Sequence, residues 1–428
     1  MTPPFRLGIA GLGTVGTGVL EIIQQDAALL SRKTCRDIYI SAVSARARHK
    51  DRGVSLSNFD WEENPIDLAS RPDIDVFIEL IGGTKGVSKE AVETALISGK
   101  DVITANKAML AIHGIELAEL AEKNGCCIRY EAAVAGGIPV IKALQEGLIG
   151  NRISRVMGVM NGTCNYILTR MEKANMSYKE AFAEADALGF LEADPNLDIG
   201  GIDAGHKLAI LSAIAFGCPP NFNTINLEGI DQVTIEDIKA AADMGFKIKL
   251  LGVSQKTTRG LEQRMQPCLV PALSSLGQLE GGTNMVVIEG DSVEQIILRG
   301  PGAGKGPTAS AVVSDICDLA RGWKIPTFGL PVKNLSPIEN SLSDLPASYY
   351  LRMLLLDESG TLAKITGVLS DHSISIDRMR QYSHDDKTAP VLIVTHKTTR
   401  NAIDEAVTEM TENKLTSQPP VAFRIEDL

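Results

Sequence analysis

The chain has 428 residues, with 42 Lys and Arg against 53 Asp and Glu, a formal net charge of −11. At about 150 residues per domain, that length points to about three domains, each able to bury a core of its own. Hydrophobic residues make up 44% and charged ones 22%, which is too apolar for disorder, and the acidic balance excludes a surface built to neutralise nucleic-acid phosphates.

The seven cysteines, with no C-x-x-C spacing, suit a reducing cytoplasm better than a disulfide framework or a zinc ribbon. The uncharged run 7–20 is interrupted by five glycines and lacks a small-residue cleavage site after it. The apolar run 208–218 stops at Pro219-Pro220, short of the ~20 residues a membrane span requires. A soluble, cytoplasmic protein with no membrane or nucleic-acid partner is expected.

The first 130 residues alternate strands at 5–10, 38–43, 74–81, 101–104 and 127–130 with helices at 14–30, 89–98 and 114–123. Apolar strands alternating with helices predict a parallel sheet covered on both faces. From about Gly137 the pattern turns to α+β, with helices at 139–146, 166–173, 178–188 and 203–216, strands at 248–253, 285–289 and 295–298, and a helix at 309–320. A linker rich in Pro, Asn and Ser follows. The last eighty residues read as a separate small domain: strand 350–356, helix 362–369, strands 375–382 and 391–395, helix 402–410 and strand 421–425. That β-α-β-β-α-β sequence is the ferredoxin-like order.

Gly11-Leu12-Gly13-Thr14-Val15-Gly16 fits G-x-G-x-x-G, with a strand before it and a helix after it. In that setting Gly11 permits the tight turn, Gly13 the approach of a pyrophosphate and Gly16 close packing of helix on strand, with the phosphates on the helix N-terminus. NAD readers usually carry an acid after the second strand, yet Ser44-Ala45-Arg46-Ala47-Arg48-His49-Lys50 has none before Asp51. Arg46 and Arg48 suit a 2′-phosphate, so NADPH is the expected cofactor with NADH left open; the plain alternative is a solvated basic loop. Thr104-Ala105-Asn106-Lys107 follows a strand, and the carboxyl ends of such strands face the ligand crevice.

The stretch 189–207 brings Glu192, Asp194, Asp198 and Asp203 into a helix that has no charge from 208 to 216. Asp203 and Lys207 stand at i and i+4 and share a face. On a solvated helix they would be an ordinary ion pair; at the mouth of a buried one they read as a polar pocket. His206, with no second ligand at metal spacing, does not make a metal site. Gly300-Pro301-Gly302-Ala303-Gly304-Lys305-Gly306-Pro307-Thr308 is a second glycine-rich loop, and without G-K-[ST] it is not an ATP loop. The expected fold class is α/β. A Rossmann-type dinucleotide-binding domain spans 1–136, an α+β substrate and dimerisation domain 137–330, a linker 331–348 and a ferredoxin-like domain 349–428.

In their order and spacing these motifs, with Glu131-Ala132-Ala133-Val134-Ala135-Gly136-Gly137-Ile138-Pro139 and Asn161-Gly162-Thr163-Cys164-Asn165-Tyr166, resemble homoserine dehydrogenase over essentially the whole chain. The form resembled is the monofunctional one, with a C-terminal ACT domain and no aspartate kinase. Cys164, where the family usually has a second Thr, and Gly205-His206 are departures that leave the catalytic residue types in place. The resemblance implies NAD(P)H-linked interconversion of L-aspartate 4-semialdehyde and L-homoserine, in the biosynthesis of threonine, methionine and isoleucine. It puts Lys107 and Lys207 at the reacting centre with Asp203 in support. Glu192, holding the amino group, and Asp198 lie on the substrate side with Asn161, Gly162 and Thr163. Thr14, Val15, Gly82, Lys107 and Gly302 join Gly11, Gly13, Gly16, Arg46 and Arg48 around the cofactor. Glu131, Val134, Gly136 and Ile138 surround a monovalent cation, Na+ or K+, largely through backbone carbonyls. It further implies a homo-oligomer, dimer or tetramer, and L-threonine as an effector bound through the ACT domain.

An ammonium aimed at the carbonyl oxygen would stabilise its growing charge and deliver the proton, and burial or a neighbouring cation would ease transfer in both directions. Which lysine moves the proton stays open. Two other readings are weaker. Aspartate-semialdehyde dehydrogenase needs a nucleophilic Cys, and nothing sets Cys164 beside a base. A transcriptional sensor that binds nucleotide and amino acid needs a basic reading element, which no helix supplies.

Overall fold

Residues 3–191, 194–341, 345–356, 358–381 and 388–427 are described by a computed structural model. Among them, β1 (Phe5–Ala10), β2 (Ile38–Ser44), β3 (Asp60–Glu62), β4 (Val76–Glu79), β5 (Asp101–Thr104) and β6 (Ile128–Arg129) form one parallel sheet in the order β3-β2-β1-β4-β5-β6. Leu7, Ile9, Phe77 and Ile78 are fully buried, as strands covered on both faces require. The covering helices are α1 (Thr14–Gln25), α2 (Ala27–Thr34), α3 (Pro65–Ser70), α4 (Val87–Ile97) and α5 (Lys107–Lys123). The strand order reverses between β1 and β4, so the ligand crevice opens above their carboxyl ends.

Two boundaries differ from expectation for local reasons. The helix expected at 14–30 breaks at Asp26, which ends α1 by donating its N–H to the Ile22 carbonyl and opens α2. A short polar side chain that competes for nearby backbone is a natural break point. The helix expected to begin at 114 begins at Lys107, because the Asn106 side chain caps the Met109 N–H at 3.1 Å. Gly114 lies inside it, where an added Cβ would stand 2.7 Å from the Phe328 ring. The short β3 and α3 carried no pattern long enough to read.

The remaining helices are α6 (Val140–Lys142), α7 (Gly162–Ala174), α8 (Tyr178–Ala187), α9 (Pro195–Ile199), α10 (Ile202–Phe216), α11 (Ile235–Asp243), α12 (Lys305–Ala320), α13 (Thr361–Asp371) and α14 (Arg400–Glu412). The strands with them are β7 (Ile153–Val159), β8 (Asn226–Leu227), β9 (Phe246–Lys256), β10 (Leu261–Pro271), β11 (Thr283–Gly290), β12 (Glu294–Pro301), β13 (Ser348–Leu356), β14 (Ile376–Gln381), β15 (Thr388–Thr395) and β16 (Val421–Ile425). They make one sheet ordered β12-β11-β7-β9-β10-β16-β13-β15-β14, with the two-residue β8 on β10. β7 and β10 were not expected; β10 mixes charged with apolar residues and shows no clean alternation. No helix among the described residues is long and apolar enough to cross a membrane.

The last eighty residues keep the expected β-α-β-β-α-β order but are not detached. β16 pairs in parallel with β10, and the linker is fastened alongside, with Leu261 N–H on the Glu339 carbonyl at 2.8 Å and Ser341 N–H on the Leu261 carbonyl at 3.1 Å. Glu262 and Arg264 on β10 and Arg424 and Glu426 beside them alternate by two, so each pair shares a strand face. Arg264 bonds Glu426 and lies 3.3 Å from Glu262; Arg424 lies 3.0 Å from Glu426 and 3.4 Å from Glu262. All four are buried. Burial penalises the Glu426 carboxylate, but Arg264 and Arg424 outweigh it and hold its pKa below the ordinary 4.5.

Glu426→Ala leaves two guanidiniums buried without their partner and should cost about 3–5 kcal/mol in urea unfolding, the usual cost of breaking a buried ion pair from one side. Because the folded-state pKa is depressed, Glu426 contributes fully above its ordinary value and loses that contribution as pH falls through the acid range. Wild-type stability should therefore drop on acidification more steeply than that of Glu426→Gln. A cost under about 1 kcal/mol for the alanine variant would show the seam to be energetically idle.

Candidate active site

The glycine motif forms a cradle whose spacing is enforced by backbone contact. Gly11 has φ +100°, and an added Cβ would lie 2.4 Å from the Leu80 carbonyl oxygen. A Cβ on Gly16 would lie 2.0 Å from the Gly11 carbonyl, whereas around Gly13 nothing stands within 4 Å. The first turn of α1, with Thr14 and Val15, has no side-chain cap, so its N–H groups face this space with the positive end of the helix dipole. A pyrophosphate fits what only glycine leaves open.

A groove of about 540 Å³ extends from Gly11 and Gly13 past Ser44 to Arg46, Lys50 and Arg52. Arg46 lines it. Arg48 turns instead towards Trp61, its guanidinium 6.0 Å from the ring centroid. Arg52, not singled out from the sequence, ties the loop together by donating to the carbonyls of Leu12 (3.2 Å), Lys50 (2.8 Å) and Ala47 (2.6 Å). On the other wall the buried Glu79 carboxylate accepts the N–H groups of Ile81 (2.7 Å) and Gly82 (2.8 Å) and the Thr104 hydroxyl (2.6 Å). Thr104 in turn accepts the Asn106 N–H at 3.0 Å, and Asn106 reaches the Gly83 carbonyl at 2.6 Å. This chain of bonds fixes the loop carrying Gly82 and sets Lys107 as the first residue of α5.

Lys107 is thereby an ammonium at a helix N-terminus, where the dipole disfavours it. What compensates is Asp203, in the first turn of α10, whose Oδ1 lies 3.0 Å from Lys107 Nζ while its Oδ2 accepts Lys207 Nζ at 2.7 Å. Lys207 also donates to the Met160 carbonyl at 2.8 Å. Burial opposes ionisation of Asp203, but Lys207 and then Lys107 overcome it and hold the carboxyl well below the usual carboxylate range. Asn161 caps α7 by accepting the Cys164 N–H (2.8 Å), and its amide donates to Asp198 (2.8 Å) and Asp203 (3.2 Å). These groups floor a cleft of about 490 Å³ whose walls include Val15, Gly162, Thr163, Gly302 and Thr308. Residues from the first sheet and the second thus meet at one carboxylate.

The segment at the expected cation site turns beside this cleft. Ala135 (φ +56°) and Gly136 (φ +54°) are consecutively left-handed, and a Cβ on Gly136 would stand 2.5 Å from the Gly302 carbonyl. The Glu131 carboxylate accepts the N–H groups of Ile141 and Lys142, each at 2.9 Å, and burial, with Asp315 second, pushes its pKa up to about 8. Val134 and Ile138 are buried. With that carboxylate engaged, the oxygens left in the turn are backbone carbonyls, of which those of Glu131 and Ile138 each accept one N–H, from Val134 and Val140, and keep a second lone pair. Among the described residues no group of three His, Cys, Asp or Glu side chains could hold a metal.

Glu192 lies outside the described residues. His206 packs against Phe222 with centroids 4.3 Å apart and the rings tilted by 41°. Cys164 is buried, its thiol donating to the Asp198 carbonyl at 3.2 Å and pushed well above its ordinary pKa by burial, which is the opposite of an activated nucleophile. Asn284 and Phe190 also line the cleft and were not singled out. Asn284 is almost fully buried and donates to the same Met160 carbonyl as Lys207, at 3.0 Å. Its only sequence signal was an amide standing one residue before the expected strand at 285–289.

Comparison with known proteins agrees with this geometry. Residues 139–317 match the family model "Homoserine dehydrogenase", residues 11–131 "Homoserine dehydrogenase, NAD binding domain" and residues 349–413 "ACT domain". The homoserine dehydrogenase of Neisseria gonorrhoeae is 41% identical over 433 residues, and that of Pseudomonas aeruginosa 39% over 438, each covering 99% of both chains. Among solved structures, a homoserine dehydrogenase from Thiobacillus denitrificans superposes with TM-score 0.94 at 38% identity, covering 99% of this chain and 98% of that one. A hyperthermophilic archaeal homoserine dehydrogenase in complex with NADPH gives TM-score 0.64 at 27% identity, covering 74% and 97%. This chain belongs to the homoserine dehydrogenase family.

Proposed function

We propose that the chain catalyses the reversible NAD(P)H-dependent reduction of L-aspartate 4-semialdehyde to L-homoserine in the cleft around Asp203. The observation that carries this is a single buried carboxylate bridging Lys107 and Lys207 where the nucleotide groove meets the polar floor of α7 and α10. The bound nicotinamide supplies the hydride. Lys207 has three N–H bonds; two go to Asp203 and the Met160 carbonyl, leaving the third for the aldehyde oxygen. There it stabilises the developing negative charge and delivers a proton. Lys107 adds positive charge on the cofactor side, and Asp203 keeps both ammoniums aimed. Asp198, Thr163, Gly162 and Asn161 line the substrate end with Glu192. Gly302 faces the cofactor across the cleft, and the carbonyls at Glu131, Val134, Gly136 and Ile138 hold Na+ or K+. The domain limits 1–136, 137–330, 331–348 and 349–428, a homo-oligomeric state and a cytoplasmic location belong to the same reading; seven free cysteines suit a reducing compartment.

Lys207→Ala should lower kcat by about 10²-fold or more, the scale of general acid–base catalysis, while NADPH binding measured by fluorescence persists. Asp203→Asn should impair turnover by releasing both lysines at once. Near-normal kcat in both variants would remove this cluster from the chemistry.

NADPH is the preferred cofactor in this reading, because Arg46, Lys50 and Arg52 ring the groove and Arg46 is free of the bonds that engage Arg52. Arg46→Ala should lower kcat/KM for NADPH by about 10-fold relative to NADH, the loss of one charge-assisted bond to the 2′-phosphate. Arg48→Ala, directed at the Trp61 stack, should move that ratio little. An unchanged ratio in Arg46→Ala would make the loop a solvated one.

L-threonine is the effector in this reading. The ACT match and the unbroken sheet from β10 into β16 support it. Below β10, Met265 packs against Gly201, the residue before α10, so the regulatory strand and the catalytic helix share a neighbour. Initial-rate assays of the full chain should show saturable inhibition by millimolar L-threonine, with a coupling of about 1–3 kcal/mol. Rates indifferent to it would end the regulatory assignment.

A further inference from the structure

Lys249 of β9 is 3% exposed and takes no part in the chemistry proposed above. A buried ammonium is costly unless its protons are used. Nζ donates to the Asn165 side-chain oxygen at 3.0 Å and to the Leu279 carbonyl. Asn165 stands on α7, one turn after the cap Asn161, and its amide donates to the Gly281 carbonyl at 2.7 Å. The Gly281 N–H in turn donates to the Thr169 hydroxyl at 3.2 Å, and Glu280 pairs with Lys173 at 2.5 Å. The segment 279–282 between β10 and β11 is thus strapped along α7, with Lys249 joining the strap to the sheet. That segment ends as a wall of the cleft. Gly282 lines it, and an added Cβ on Gly162 would stand 2.7 Å from the Gly282 carbonyl oxygen. On its other side Gly282 meets the Phe190 ring, 3.5 Å from where a Cβ of its own would lie. Phe190 stacks on Tyr166 with centroids 4.5 Å apart, and its carbonyl accepts the Thr163 hydroxyl at 2.9 Å. None of these bonds involves the nucleotide cradle at 11–16.

We propose that Lys249 is a positioning residue for the substrate: its ammonium, bound to Asn165 and Leu279, holds Gly282 against Gly162 and so sets the width of the cleft where L-homoserine sits. This role rests on the reaction proposed above. Burial, with Lys247 second, pushes the Lys249 pKa down to about 8, against the opposing pull of Glu172 and Glu280. The groups facing it are engaged elsewhere. Lys247 lies 3.2 Å from Glu172 and 3.8 Å from Glu280. Cys268, the cross-strand neighbour on β10, is pushed up to about 12 by burial and stays a thiol. Lys249 therefore loses its charge as pH rises through about 8, and the strap weakens on the alkaline side.

The test is initial-rate oxidation of L-homoserine by the full chain, with KM for homoserine and KM for NADP+ measured separately across pH. Lys249→Met keeps the apolar stem and removes the ammonium. Its KM for homoserine should rise about 10-fold, the scale of one lost charge-assisted hydrogen bond, with kcat within about 3-fold and KM for NADP+ unmoved. The wild-type KM for homoserine should climb as pH passes about 8, and that climb should be absent in Lys249→Met. Asn165→Asp keeps an acceptor for Lys249 and removes the donor to Gly281, so it should raise the same KM; it decides the matter where the methionine variant fails to fold. An unchanged homoserine KM in either folded variant would overturn the positioning role. Parallel losses in kcat and in both KM values would overturn it too, marking Lys249 as structural only, and so would a wild-type homoserine KM that stays flat through that pH. A wild-type chain that leaves homoserine unoxidised would overturn the reaction itself, and this role with it.

Discussion

One buried carboxylate organises the floor of the cleft between the two sheets. Asp203 sits in the first turn of α10, where the helix dipole favours a negative charge, and neutralises an ammonium from its own helix and another from the first turn of α5. Neither lysine is well placed without it. Lys107 occupies the wrong end of a helix for a cation, and Lys207 is nearly buried. The arrangement keeps two ammoniums on Asp203 at the floor of the cleft, with the Asp198 carboxylate beside them on Asn161. In the proposed reaction the Lys207 ammonium favours an oxygen on which negative charge is growing, and because the dipoles around it are already oriented little reorganisation accompanies that step.

Placing that carboxylate depends on backbones approaching more closely than side chains would permit. Leu80 lies against Gly11, the Gly11 carbonyl against Gly16, and the Gly302 peptide against both Gly136 and the Asn284 amide. These contacts lock the nucleotide cradle, the turn at 134–138 and the second glycine-rich loop to one another. The Glu79–Thr104–Asn106 bonds do the same for the loop facing α1. Small residues and buried hydrogen bonds together set the distance between the two sheets' contributions.

The C-terminal end, which carries the ACT match, is built on a different device. β16 joins β10 along only a short parallel ladder, and the seam is completed by four buried charges, Glu262 and Arg264 on β10, Arg424 on β16 and Glu426 just after it. Buried ions demand their partners, so the two parts of the chain cannot separate without leaving charges unpaired in an apolar setting. The sheet is consequently continuous from the cleft to the free strand β14. α11 packs across the junction, and Asp237 binds both its own helix cap and Arg352 of the neighbouring strand.

Local pattern was enough to specify much of this. The alternation of apolar strands and helices set the parallel sheet, G-x-G-x-x-G between strand and helix set the cradle, and the i, i+4 placement of Asp203 and Lys207 before an uncharged helix marked the polar floor. Each is legible because its cause acts within a few residues. Convergence was not legible. That Lys107 and Lys207, a hundred positions apart, share one carboxylate, that Arg48 stacks on Trp61 while Arg46 lines the groove, and that Asn284 stands beneath Gly302 are consequences of packing between distant segments. The same holds for β10. Its Glu262 and Arg264 read as exposed polarity in one dimension, and only the partner strand Val421–Ile425, with Glu426 just beyond it, makes them interior. A charged residue carries no mark of burial in its own sequence; the mark is its counter-ion, and tertiary structure supplies that.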